Sequence, residues 1–111
     1  MQNDRPLLTI AVPTYNRSFF LNELLSCLFE QCMPDSRIEH LVSDNASTDE
    51  ASAIVAGYAD RRLQIRYLRN ISNIGDDVNF MRCFDKARGK YVWPIGDNDF
   101  VVPSAVGKIV S

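Results

Sequence analysis

Apolar and polar positions fall in blocks along the chain, and the period of the apolar positions switches from block to block. LLTIAV (7–12) is a continuous apolar run with β-branched residues, the pattern of a buried strand, and Pro13 is expected to end it. After the polar PTYNRS comes FFLNELLSCLFEQC. There Phe20, Leu24, Cys27 and Leu28 recur at helical spacing, with Leu21, Leu25 and Cys32 beside them and Ser18 in the N-cap place. MPDS breaks this helix at Pro34. IEHLVS (38–43) alternates and then turns apolar, a second strand.

In DNASTDE, Ser47 followed by Glu50 has the spacing of a capping box. Ala51, Ile54, Val55 and Tyr58 then mark a second helix. LQIRYL (63–68) alternates strictly, which predicts a third strand near a sheet edge. Past the loop RNISNIGDD, VNFMRCFDKA predicts a third helix with Phe80, Phe84 and Ala87 on one face and Gly89 as its C-cap. KYVWPI is a fourth strand, in which Trp93 reads as core, and VVPSAVGKIVS resembles the opening of another helix. Strands alternating with helices of this length imply an α/β domain of three layers. Its mostly parallel sheet, of about four strands, carries helices on both faces.

Length and charge narrow the picture. The 111 residues amount to one domain, and a net charge of −2 gives no electrostatic reason to bind nucleic acid or an anionic membrane. Cys27, Cys32 and Cys83 form no CxxC pair; packing by reduced thiols in a cytoplasmic protein is the expected use. The apolar helix opening at the end suggests a fragment, whose uncovered apolar surface would favour self-association.

The polar residues carry the chemistry. Pro13 to Arg17 follow the first strand, Asp44-Asn45 the second, Arg69 to Asp77 the third, and Gly96-Asp97-Asn98-Asp99 the fourth. A parallel sheet brings all four clusters to its carboxyl edge, where open α/β sheets bind ligands and where helix N-termini present N–H groups to phosphate. An anionic ligand, a nucleotide, fits that edge. Asp97 and Asp99 would then repel each other and the ligand unless a divalent cation lay between, and Mg²⁺ or Mn²⁺ with carboxylates and substrate phosphates is the usual solution. Other phosphate and metal motifs fail. No GxGxxG follows the first strand, ARGKYV lacks P-loop spacing, and DNDFVVPSAVGK lacks the glycine and the terminal acid of an EF-hand. His40 has no Cys or His neighbour and reads as structural.

LTIAVPTYNR, LVSDNASTDE, NISNIG and GKYVWPIGDND, in that order, resemble the N-terminal, donor-binding half of family 2 glycosyltransferases with the Rossmann-like GT-A fold. The resemblance runs from about Leu8 to the end of the chain. It implies inverting transfer of a sugar from a nucleotide-diphosphate sugar to a glycan or lipid-linked glycan acceptor, as in cell-surface polysaccharide synthesis. It implies a cytoplasmic setting, with membrane association of the longer protein. It further implies that Pro13, Thr14, Tyr15 and Arg17 line the nucleotide pocket and that Asp44 accepts a hydrogen bond from the base. Asn73 to Gly75 would lead into the helix beside the nucleotide, while Asp97 and Asp99 would contact ribose and a Mn²⁺ or Mg²⁺ ion. Many relatives carry a third acid where Asn98 stands. The general base is expected beyond Ser111. The competing class is a non-catalytic α/β domain, flavodoxin-like or response-regulator-like, but such domains place their acids after the first strand, where PTYNR has none. A degenerate transferase kept for interaction stays open through Asn98.

Overall fold

The computed structural model describes residues 5–32 and 35–97. The break expected at Pro34 and the helix expected after Pro103 lie outside those residues, as do Asn98 and Asp99. Seven elements follow in order: β1 (Leu8–Thr14), α1 (Ser18–Cys32), β2 (Ile38–Asp44), α2 (Ala51–Asp60), β3 (Ile65–Arg69), α3 (Asp76–Lys86) and β4 (Tyr91–Pro94). All strand pairs are parallel, and the sheet order is β3-β2-β1-β4. The α/β reading and the edge position of the third strand therefore hold.

Successive residues of a strand face opposite sides of the sheet. Leu8, Ile10, Val12, Ile38 and Val42 enter one core with Leu21, Leu24, Leu25 and Leu28 of α1 and Val55 and Tyr58 of α2. Burying each such leucine stabilises the fold by about 2 kcal/mol. Ser43, one residue out of phase with Val42, bonds instead to Asn79 of α3 on the other side. Helices thus cover both faces, α1 and α2 on one and α3 on the other.

Several local expectations are corrected. β1 runs on through Pro13 to Thr14. Ala11 O accepts from Ile95 N–H while Thr14 O accepts from Asn45 N–H. Alternation then puts the proline nitrogen on the β4 side, past the last β1–β4 pair at Ala11 and Pro94, where no donor is needed. The apolar face of α1 is Leu21, Leu24, Leu25, Leu28 and Cys32; Phe20 and Cys27 lie off it. β3 begins at Ile65, two residues later than the alternation suggests, although Leu63 is buried.

The capping box does not form. Glu50 precedes α2 with no side-chain cap bond, and the Ser47 hydroxyl donates to Asp44 instead. In α3 the buried side chains are Asn79 and Cys83, whereas Phe80 and Phe84 are partly exposed and pack edge to face, 5.2 Å between centroids. Gly89 is not a C-cap, since Ala87 already leaves the helix in extended geometry. A Cβ on Gly89 would stand 2.5 Å from the Thr9 nitrogen, so this glycine is needed for close approach to β1.

At the amino edge, a polar clasp ties the exit of α3 to the sheet. Glu39 accepts from Arg66, from Thr9 and from the Arg88 N–H, while Arg66 also donates to the Lys86 carbonyl. Burial by itself would raise the Glu39 carboxyl, but these hydrogen bonds and the Arg66 charge outweigh it and hold the group below its usual range.

His40, 1% exposed, sits among the apolar residues of β2. Its Nδ1–H donates to the Gln64 carbonyl at 3.2 Å, while Nε2 is buried without a hydrogen-bond partner among the described residues. Burial pushes the ring down to about 4, against an opposing effect of the Gln64 bond and of Glu39. The folded protein therefore keeps His40 neutral at pH values where the unfolded chain takes up a proton. Stability is unaffected above about pH 6.5, falls as the pH drops below it, and levels off near the folded value. We expect urea midpoints to report a loss of about 2 kcal/mol between about pH 7.5 and about pH 5, most of it absent in His40→Gln.

Candidate functional site

Strand order decides where a ligand can enter. From β1 the chain adds β2 and β3 on one side, then crosses back to place β4 on the other. The loops leaving β1 and β4 therefore diverge, and a crevice opens at their carboxyl ends, as at the switch points of other open α/β sheets. A cleft of about 450 Å³ lies there. Pro13, Thr14, Tyr15 and Arg17 form one wall, α3 contributes Asp76, Asp77, Asn79 and Phe80, and Asp97 completes it. Five of the residues singled out in the sequence thus share one cavity.

The side chains are held from below. The Thr14 hydroxyl donates to Asp97 Oδ2 at 2.8 Å, linking the ends of β1 and β4, and both residues are buried. Arg17 is exposed, its guanidinium 5.9 Å from the Phe20 ring centroid. Asp76 and Asp77 occupy the first turn of α3, where the helix dipole favours negative charge. Gly75 precedes them with φ +91°, a left-handed conformation that glycine adopts without strain.

Asp44 lies outside the lining of the cleft, fully buried. Its Oδ1 accepts from the Ser47 N–H at 2.9 Å and the Ser47 hydroxyl at 2.6 Å, and its Oδ2 accepts from the Tyr67 hydroxyl. Burial, followed by the bond to Asp44, pushes the Tyr67 phenol up. Asn73, exposed and also outside the lining of the cleft, braces the turn before α3, its Oδ1 accepting from Asn45 Nδ2 and from the Gly75 N–H. Asp99 belongs to the residues not described, so its place cannot be set beside that of Asp97.

Sequence reasoning placed Asp76 and Asp77 in the cluster after the third strand and Asn16 in the cluster after the first, but gave none of the three a site role, and it missed Asn79 and Phe80 as lining residues. A polar residue four positions before the buried Cys83 is a signal for Asn79. Asn16 takes φ +50°. Asn16 receives Thr48 N–H on its side chain and gives its own N–H to Ser47, pinning the loop after β1 to the loop after β2. Ala46, at φ +69°, is strained in that second loop, and strain of this kind gathers at functional sites.

The carboxylates of the cleft are hard oxygen donors, suited to Mg²⁺ or Mn²⁺ and not to metals that prefer sulfur. Among the described residues no three His, Cys, Asp or Glu side chains form a set able to hold a metal ion. An ion held at these carboxylates would take its other ligands from substrate phosphates and water. The cysteines offer no alternative chemistry. Burial and then Asp35 push Cys32 up to about 12, and burial pushes Cys83 up to about 11, so both remain thiols.

A doubly covered parallel sheet with an acidic, partly cationic cleft at its switch point defines an open α/β domain with its ligand crevice at the carboxyl edge. The chain belongs to glycosyl transferase family 2, whose sequence model matches residues 9–111. It is 37% identical over 94 residues to the abequosyltransferase RfbV of Salmonella typhimurium, a match covering 84% of this chain and 28% of that protein. It is 27% identical over 106 residues to the GalNAc(5)-diNAcBac-PP-undecaprenol beta-1,3-glucosyltransferase of Campylobacter jejuni, covering 95% of this chain and 34% of that one.

Solved structures agree, and with them the GT-A fold. The mannosyltransferase PcManGT of Pyrobaculum calidifontis, in complex with GDP-Man and Mn²⁺, superimposes with a TM-score of 0.83 at 26% identity, over 96% of this chain and 32% of that one. S. aureus TarS 1-349 in complex with UDP gives 0.84 at 26% identity, over 93% and 30%. The chain thus spans about a third of the length of the proteins it matches.

Proposed function

We propose that these residues form the donor half of an inverting glycosyltransferase, binding a nucleotide-diphosphate sugar in the cleft at the β1–β4 switch point. One observation carries this most directly: Pro13, Thr14, Tyr15, Arg17, the first turn of α3 and Asp97 all line a single cavity at the carboxyl edge of the sheet. Tyr15 and Arg17 are placed to meet the nucleotide, Arg17 by charge and Tyr15 by its exposed ring. Asp44 can accept from a base N–H only by sharing Oδ2 with Tyr67, since Oδ1 already takes both Ser47 donors. Asn73 and Gly75 shape the entry to α3 and reach the nucleotide through it.

Asp97 and Asp99 are our candidates for holding Mn²⁺ or Mg²⁺. The ion would supply charge stabilisation for the departing nucleoside diphosphate. The protein's own part is to orient Asp97 through Thr14, to present the first turn of α3, and to exclude water from the cleft floor. We assign the general base and the acceptor pocket to the remainder of the longer protein, and domain 1–111 to donor binding. The C. jejuni relative, named for a PP-undecaprenol-linked glycan, supports a glycan or lipid-linked glycan acceptor. To this we add surface polysaccharide synthesis, on the cytoplasmic side and close to a membrane, as part of the proposal.

Titrating the full-length protein calorimetrically with UDP, GDP, CDP and dTDP, with and without Mn²⁺, tests the proposal. One of them is expected to bind at least about tenfold more tightly with the metal present. Failure of all four to bind would instead support a domain retained for interaction.

A further inference from the structure

Helix α3 forms a wall of the cleft, yet it is poorly anchored by apolar packing. Its buried side chains are Asn79 and Cys83, while Val78, Phe80, Met81 and Phe84 are largely exposed. At its far end the Glu39–Arg66 clasp holds the exit. At the cleft end a chain of amide side chains does the holding, and Asn45, 1% exposed, lies at its centre.

The polarity of this chain is set by backbone groups at both ends. The Ile74 N–H donates to Asn45 Oδ1 at 2.9 Å, and the Gly75 N–H to Asn73 Oδ1 at 2.8 Å, so both oxygens must face that turn. Asn45 Nδ2 then donates to Asn73 Oδ1 at 2.8 Å. At the other end the Ser43 carbonyl can only accept, so Asn79 presents Nδ2 to it at 2.9 Å. Asn79 Oδ1 accepts from the Ser43 hydroxyl and from Asn70 Nδ2, and the same Asn70 Nδ2 donates to Asn45 Oδ1. No amide in the chain can flip without facing donor to donor or acceptor to acceptor. Neither Asn45 nor Asn70 lines the cleft.

We propose that Asn45 is a positioning residue for donor binding. Through Asn73 and Asn70 it sets the entry turn and first turn of α3, and so the placement of Asp76 and Asp77 at the cleft. This rests on the donor reading of the cleft given above. Directional bonds fix the rotation of a helix whose two buried side chains are small. Because the exit of α3 is held separately, cutting the hub releases the cleft end and leaves the domain folded.

The test uses Asn45→Asp in the full-length protein. This change keeps the size and the Oδ1 acceptor but turns a carboxylate oxygen onto Asn73 Oδ1. Donor KM is expected to rise about tenfold while kcat stays within about twofold, because a shifted wall weakens the bound donor without touching the reacting groups. Amide exchange across residues 71–77 should accelerate by at least about tenfold, with β1 unchanged. Asn70→Ser, which cuts Asn45 from Asn79 but leaves the bond to Asn73, is a milder variant expected to move KM and exchange in the same direction.

Faster exchange with an unchanged donor KM, or a fall in kcat alone, would overturn the positioning role. Unchanged exchange in both variants would overturn the hub itself. A wild-type protein that binds no nucleoside diphosphate and turns over no nucleotide sugar overturns the donor reading, and the exchange result still decides whether the hub holds the turn.

Discussion

Asp97→Asn in the full-length protein is expected to lower sugar transfer by about 10²–10³-fold, the cost of deleting one preorganised charge contact to a leaving group. Asp97 is 7% exposed and lies three residues past the end of β4. The substitution is close to isosteric, and an amide oxygen can still accept from the Thr14 hydroxyl. The thermal midpoint should therefore stay within about 2 °C of the wild type, a change of well under 1 kcal/mol. What disappears is the negative charge, which a divalent cation requires and a folded scaffold does not. The loss should fall on kcat/KM measured with nucleotide sugar, and raising the Mn²⁺ concentration should recover part of it. A variant that transfers sugar at the wild-type rate would remove Asp97 from the donor site and leave it a structural role, in part as the acceptor of the Thr14 hydroxyl.

The second large effect is on stability and arises at the opposite edge of the sheet. Gly89→Ala is expected to destabilise the domain by about 3 kcal/mol or more, read as a lowered midpoint in urea at unchanged slope. The added methyl would meet the Thr9 nitrogen at 2.5 Å, the Thr9 hydroxyl at 2.7 Å and the Leu8 carbonyl carbon at 2.8 Å. Two of these are backbone atoms of a strand paired on both sides, so they cannot give way. The contact also carries the bond from the Gly89 N–H to the Thr9 hydroxyl, and that threonine donates to Glu39. Separating β1 from the chain that enters β4 would strain this clasp as well. A midpoint shift of less than about 0.5 kcal/mol would mean that β4 approaches β1 less closely than the structure has it.

Much of this was legible in the residues. LLTIAV, IEHLVS and KYVWPI announced themselves by apolar runs, and the alternation of LQIRYL announced an edge strand, because a strand half exposed to water must alternate. Pro13, Thr14, Tyr15, Arg17 and Asp97 were found by the rule that parallel strands deliver their following loops to one edge, and they do line one cleft. The misreadings have physical causes. A capping box is a local pattern, and Ser47 was drawn instead to Asp44 three residues back, a partner that the turn at Ala46 brings within reach. Phe80 and Phe84 looked like a core face because they are aromatic and four apart. Asn79 took the buried place because Ser43 of β2 and Asn70, just past the end of β3, supply its hydrogen bonds. A helix C-cap and a close approach to a strand both call for glycine, and the sequence around Gly89 does not distinguish them.

Local sequence therefore determined the number, type and order of the elements, since periodicity and turn chemistry act over a few residues. It also determined that acids and amides crowd the strand ends. Only the tertiary structure decided that β4 returns to the far side of β1, which puts the crevice between those two strands. It alone decided that Asp44 is buried and Asn73 braces a turn while Asp76 and Asp77 face the cleft. Those outcomes depend on pairings between residues some thirty to eighty positions apart, as in Asn45 with Asn73 and Thr14 with Asp97. Such pairings are settled by which hydrogen bonds and contacts can be satisfied together in the packed chain, and no short stretch of sequence holds that information.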